Sequence, residues 1–188
     1  MNQKNILPCD GLAYLIDDTK GEFEWPKVTA SLAETIPWRI ETARLFGREM
    51  PVPRMTAWFG DADYTYSGIC QRAAPFPAVV QRLRERAEAI SGGSYNAVLL
   101  NLYRNGSDSV GRHSHEAGLG DCPTIASLSL GATRRFQFRH RRTKGQSRLS
   151  SVRAFGWSLL ARLNASGFTK CRRPPLLLRP ASISRSGA

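Results

Sequence analysis

With 188 residues, 41% of them hydrophobic and 22% charged, the chain is long enough for one domain with a real core and too short for two comfortable ones. Its formal net charge of +12 is laid down unevenly: the last acidic residue is Asp121, and fourteen of the 27 Lys and Arg lie beyond it, leaving the first 121 residues at −2. A polyanion-binding surface spread over the whole molecule is thereby excluded, and four cysteines without C-x-x-C spacing exclude a zinc knuckle and a disulfide framework. Nothing resembles a signal peptide or a membrane span, because the opening ten residues are polar and contain a proline, so the expected setting is reducing and cytoplasmic.

In chain order, Leu12, Tyr14, Leu15 and Ile16 predict a strand that enters a turn at Asp17–Asp18. Val28, Leu32 and Ile36 recur every four residues and predict a helix ended by Pro37. Trp38 to Gly47 is compatible with a strand or with a hairpin. Pro51-Val52-Pro53-Arg54 is extended, since a residue before proline is pushed out of the helical region. The aromatic-rich run from Met55 to Gly68 predicts strand with a turn at Gly60–Asp61, and the two-residue spacing of Tyr64 and Tyr66 points both rings to one side. A half-buried aromatic face explains that pair as well as a ligand surface does.

Pro77 to Ile90 is the clearest helix, with Val79, Val80, Leu83, Ala87 and Ile90 in one apolar stripe and Ser91-Gly92-Gly93 as its stop. Ala97 to Tyr103 and Thr124 to Leu130 predict two strands flanking a polar loop that holds His113 and His115. The third histidine, His140, sits in a basic run that reads as a solvated turn. The residue pattern by itself supports an α+β fold with several strands after residue 96.

Asn101 and Tyr103, then NGSDSVG, HSHE, PTIASLSLGATRRF and FRHR, preceded by PRMTAWFGDADYTYSG (Pro53 to Gly68), together resemble the AlkB-type dioxygenases that depend on Fe(II) and 2-oxoglutarate. The resemblance covers about two-thirds of the chain. It implies a double-stranded β-helix, or jelly-roll, with N-terminal helices packed on one sheet, here incomplete at the C-terminus. It also implies oxidative dealkylation of N-alkylated bases in DNA, with RNA open, as in DNA repair: the base is flipped out, its alkyl carbon is oxidised and leaves as an aldehyde. The partner is nucleic acid rather than membrane, and the expected state is a monomer. By motif, Asn101 and Tyr103 contact 2-oxoglutarate, His113 and His115 hold the metal, and Tyr64, Tyr66 and Glu116 line the base pocket. Each has a plainer reading: Asn101 and Tyr103 as ladder residues beside a core, Glu116 as a turn carboxylate. Arg134 pairs with an acid in the site or lies on the barrel rim.

Two departures from the family pattern stand out. The family's H-x-D gives two iron ligands on one side of a strand, whereas this chain has His113-Ser114-His115-Glu116. Either histidine fills the carboxylate position or an aspartate is missing between Ser114 and His115. Secondly, the family's later histidine and its R-x-N-x-T-x-R strand, whose first arginine pairs the far carboxylate of 2-oxoglutarate, are absent after Ser150. If each codon is read from its third base, however, Gly156 to Arg172 permits MVIAGTTQRKWLHQVP and Pro180 to Gly187 permits RINLTFR. Both missing motifs then stand in order and in the same shifted frame.

The sequence thus divides into 1–150, an AlkB-like domain in frame, and 151–188, an out-of-frame tail whose arginine content reflects base composition. A tail of this kind is expected to lack defined packing and to leave the last core strands absent. The rival readings are a non-catalytic basic nucleic-acid-binding protein that uses Tyr64, Tyr66 and the basic C-terminal third, and an inactive degenerate product.

Overall fold

The computed structural model describes residues 4–7, 12–17, 22–45, 47–66, 69–110, 125–140, 146–152, 156–161, 168–169 and 176–180. Helix α1 spans Trp25–Thr35, starting earlier than the apolar spacing alone indicated because Pro26 sits in its first turn, where a missing N–H costs nothing. It ends at Ile36, which is extended (ψ 132°) as the residue before Pro37 must be. Helix α2 spans Ala78–Ser91 and is closed by Gly92 in the left-handed conformation (φ 67°), which a side chain would strain. No helix among the described residues is long and apolar enough to cross a membrane.

The strands are β1 (Leu12–Asp17), β2 (Arg39–Leu45), β3 (Arg48–Gly60), β4 (Tyr64–Tyr66), β5 (Ile69–Gln71), β6 (Tyr95–Leu102), β7 (Ile125–Ser129) and β8 (Arg134–His140). They continue as β9 (Gln146–Val152), β10 (Gly156–Ala161), β11 (Phe168–Thr169) and β12 (Leu176–Pro180). Seven form an antiparallel sheet in the order β1-β10-β7-β12-β6-β3-β2, three a second sheet β11-β8-β9, and β4-β5 a hairpin. The α+β expectation is met.

The segment from Trp38 to Gly47, open in the sequence, is one arm of the β2–β3 hairpin. His140 is the last residue of β8, opposite Phe168, and not part of a turn. A second correction concerns the tail. The last strands were expected to be absent, yet β10 pairs between β1 and β7, and β12 between β7 and β6. The physical reason is that ladder hydrogen bonds come from the main chain. The inner edges of β6 and β7 must pair, and the apolar runs GWSLLA and LLLRP can satisfy them whatever their side chains.

Alternation along β3, β6 and β7 sets two faces. Ala57, Phe59, Val98, Leu100, Ala126 and Leu128 join Leu32, Val80, Leu83 and Ala87 of the helices, and Ile36 just past α1, in one buried cluster. Both helices therefore cover one face of the seven-stranded sheet. Thr56, Trp58, Leu99, Asn101 and Ser127, one residue out of phase, face the other way. At Gly60 the backbones of β3 and β6 come so close that a Cβ would lie 2.8 Å from Ala97 Cβ and 2.9 Å from Asn96 O.

Candidate active site

The face away from the helices carries a row of polar and aromatic side chains. Thr56 stands opposite Asn101, and Trp58 opposite Leu99. Thr56 Oγ1 donates to Glu41 Oε1 (3.3 Å), and Gln71 Nε2 donates to the same oxygen (2.7 Å). One carboxylate thus ties the β4–β5 hairpin to the sheet. At the other end of the hairpin, Asp63 accepts from the Ala73 N–H (2.6 Å) and from Arg72 (3.1 Å). The Ala73 N–H, first among these, holds the Asp63 carboxyl below its ordinary range.

Tyr64, on β4, stacks on Trp58 with centroids 4.9 Å apart and planes 20° apart. Trp58 Nε1 donates to Ala62 O (3.2 Å), which fixes the indole. Tyr66 lies on β4 opposite Ile69, and its side chain is outside the described residues. Trp58 was not singled out in the sequence, although its phase with Thr56 on a strand was available to find it.

The strand β6 then runs into a tightly held loop. Asp108, only 3% exposed, accepts from the Arg104 N–H (2.8 Å), from Arg104 Nε (2.9 Å) and, through Oδ1, from Arg104 Nη2 (2.9 Å). These Arg104 contacts hold the Asp108 carboxyl at about 2, against an opposing push from burial. Asn105 Oδ1 accepts from Ser107 N–H (2.9 Å), an Asx turn, and Ser109 N–H donates to Pro53 O (2.9 Å) on β3.

Arg134 closes the loop from β8: Nη2 donates to Asn105 O (2.9 Å) and Tyr103 O (3.4 Å), and Nη1 to Asp108 O (3.3 Å). Its guanidinium also lies 4.8 Å over the Tyr103 ring. Of the two roles the sequence left open for Arg134, neither is complete. It binds main-chain carbonyls, and its charge adds to the stabilisation of the Asp108 carboxylate.

Beyond the last described pairs of β12, a cavity of about 230 Å³ opens at the ends of β6 and β7. Leu32, Trp38, Leu100 and Leu130, on the helix side, give it apolar walls, and Asn101, Tyr103, Ser129 and Arg134 are also among its lining residues. The structure therefore brings Asn101 and Tyr103 together at one cavity, with Tyr64 on the hairpin beside the same sheet. His113, His115 and Glu116 lie outside the described residues, among which no group of three or more His, Cys, Asp or Glu gathers.

Residues 21–155 match the 2OG-Fe(II) oxygenase superfamily, nearly three-quarters of the chain. The chain belongs to that superfamily. Within it, the sequence is 42% identical over 120 residues to alpha-ketoglutarate-dependent dioxygenase alkB homolog 3 of Homo sapiens, covering 63% of this chain and 41% of that protein. It is 35% identical over 146 residues to DNA oxidative demethylase ALKBH2 of Mus musculus, covering 74% of this chain and 61% of that protein. The plant relative of that name, from Arabidopsis thaliana, is 32% identical over 123 residues. The chain spans about two-fifths of the length of the alkB homolog 3 proteins it matches. The AlkB-like resemblance carried by the motifs is thereby shown, and with it a dioxygenase family that uses Fe(II) and 2-oxoglutarate.

The described residues allow a test of fit for one of those two groups. A carboxylate asks for N–H and O–H donors, and Asn101, Tyr103 and Ser129, which are among the residues lining an otherwise apolar cavity, carry groups of that kind. They fit one end of a small keto acid. The guanidinium fork that pairs the far carboxylate has no candidate here in Arg134, whose Nη groups are turned to carbonyl oxygens.

Proposed function

We propose that this chain carries the core of an oxidative dealkylase for N-alkylated bases of nucleic acid, using Fe(II), dioxygen and 2-oxoglutarate. The observation that carries the reading is the meeting of Asn101 and Tyr103 at one cavity within the matched stretch 21–155. Bound iron and keto acid would supply the oxidation of the alkyl carbon. The chain's own residues supply the surroundings: Asn101 and Tyr103 bind and orient the acid, the α1-side leucines and Trp38 exclude water from it, and His113 and His115 hold the metal. The stacked Trp58–Tyr64 pair offers an aromatic plane for an extruded base, worth about 1–3 kcal/mol per base. Tyr66 and Glu116 join Tyr64 in lining the base site. The name of one group of relatives, DNA oxidative demethylase, favours DNA over RNA.

The fold that goes with this reading is the double-stranded β-helix, and the antiparallel seven-stranded and three-stranded sheets support it. The boundary near residue 150 also belongs to the proposal: residues 151–188 are decoded one frame away from the family's closing motifs. The family match ending at residue 155 supports it, as does the family-like text that the shifted frame permits. The protein is a monomer of the cytoplasm.

The test compares two proteins, the chain as given and one recoded in the shifted frame from codon 150. Each is incubated with Fe(II), 2-oxoglutarate and a methylated single-stranded oligonucleotide, and succinate and formaldehyde are measured. Recoding is expected to produce turnover that His113→Ala abolishes. Oligonucleotide binding with a steep salt dependence, indifferent to chelators and 2-oxoglutarate in both proteins, would instead support the non-catalytic reading.

A further inference from the structure

The loop from Tyr103 to Val110 is gripped from both ends, and the outer grip comes from a residue thirty positions downstream. Arg134 reaches three carbonyl oxygens, of Tyr103, Asn105 and Asp108, and covers the Tyr103 ring at 4.8 Å. Three carbonyls on one loop turned to one guanidinium are an unusual acceptor set. The planar fork serves them from two separated nitrogens, whereas an ammonium has all its donors on one. Resting on the proposed function, we infer that Arg134 is a positioning residue. It fixes the Tyr103 ring and holds the loop that ends at Val110, three residues before His113 in the sequence, touching neither acid nor metal itself.

Two further facts separate this from ordinary loop packing. The Arg104–Asp108 pair already closes the loop on itself, with the Asp108 side chain 4% exposed and Arg104 42% exposed. Arg134 is no part of that pair and adds to it only a nearby positive charge. It joins the closed loop, and Tyr103 with it, to the first residue of β8 in the other sheet. It thus couples the two sheets at Tyr103, the side chain proposed to bind the acid.

The experiment uses the full chain and the variants Arg134→Lys, Arg134→Met and Arg84→Met. Arg84 also lies over an aromatic ring, that of Phe76 at 4.7 Å, but on α2, and controls for losing such an arginine. Hydrogen exchange is read at the amides of Arg104, Ser107 and Ser109, and in α2. Both Arg134 variants are expected to exchange roughly tenfold faster or more at the loop amides, the equivalent of one lost charge-assisted hydrogen bond, with α2 unchanged. Arg84→Met leaves the loop as it was.

In parallel, 2-oxoglutarate binding in the presence of Mn(II) is followed by tryptophan fluorescence, with a comparable loss of affinity expected for both Arg134 variants. Loop exchange unchanged in Arg134→Met, or restored by Arg134→Lys, overturns the inference. A chain that binds no 2-oxoglutarate before any substitution overturns the keto-acid reading, and the exchange comparison still decides the clamp.

Discussion

Replacing Asp108 by asparagine removes the charge that closes the loop while keeping its size. The carboxylate receives three N–H donors from Arg104, two to Oδ2 and one to Oδ1. An asparagine keeps one acceptor and turns its amide donors toward the guanidinium, so at least one charge-assisted bond is lost, roughly 1.5–3 kcal/mol. Arg104 is 42% exposed and regains water, which favours the lower end, about 1.5 kcal/mol. In urea that corresponds to a midpoint about 0.5–1 M lower.

The sign with pH follows from the direction of the shift. The Asp108 carboxyl is held at about 2 in the folded chain against an ordinary 3.8, so its contribution is full above pH 3.8 and is lost as pH falls toward 2. Urea midpoints of the two proteins should differ by a constant amount from pH 7 to pH 5 and converge below pH 4. Equal midpoints at pH 7, or a gap that does not narrow on acidification, would refute the reasoning.

Tyr64→Ala removes the ring stacked on Trp58 and should weaken binding of a single-stranded oligonucleotide by roughly 1–3 kcal/mol, read by fluorescence titration; unchanged affinity takes the base-stacking role away from this pair. Glu41→Gln exchanges the acceptor shared by Thr56 and Gln71 for a neutral amide, and should raise hydrogen exchange in β4 and β5 about tenfold while Ala73, held by Asp63, keeps its protection. Gly60→Ala puts a methyl 2.8 Å from Ala97 Cβ, and should cost about 1–3 kcal/mol, or roughly 3–10 °C in Tm; an unaltered Tm means that β3 and β6 can part more easily than their register implies.

What was legible in the sequence was whatever a single element announces by itself. The stripe Val80, Leu83, Ala87 and the Gly92 stop define α2 without reference to anything else, and the structure ends that helix one residue from the expected place. Pro37 and the paired prolines of β3 act through local sterics in the same way. The β2 arm was undecided because Arg39-Ile40-Glu41-Thr42 has the alternation of an edge strand but no burial to enforce it; Ile40 is 50% exposed, and its pairing comes from β3.

At the site, Asn101 and Tyr103 were readable because a motif holds them two apart, at the end of β6 and just past it. Glu41 and Gln71 were not, being thirty residues apart and joined by a 2.7 Å hydrogen bond that depends on a hairpin folding back. Asp108 sat in plain view within NGSDSVG, yet nothing local says that Arg104 and not solvent receives its carboxylate. Arg134 shows the same limit: its acceptors are main-chain carbonyls, which every sequence possesses.

The tail carries that distinction between main chain and side chain furthest. β12 lies between β6 and β7, where each needs a neighbour, and its register places Leu177 opposite Leu99 and Arg179 opposite Ala97. Any extended apolar segment can complete such a ladder, because the pairing groups are common to all residues. Chemistry is less forgiving. On the proposed frame, the family's R-x-N-x-T-x-R run is spelled from Pro180 to Gly187, from the last residue of β12 onward, with a histidine before it, and the same stretch decoded one base away reads PASISRSG. A sheet closed in this manner and a site left without its last ligands are compatible outcomes. Cooperative unfolding of the chain as given would therefore not argue for activity, and restoring the frame should change turnover far more than it changes Tm.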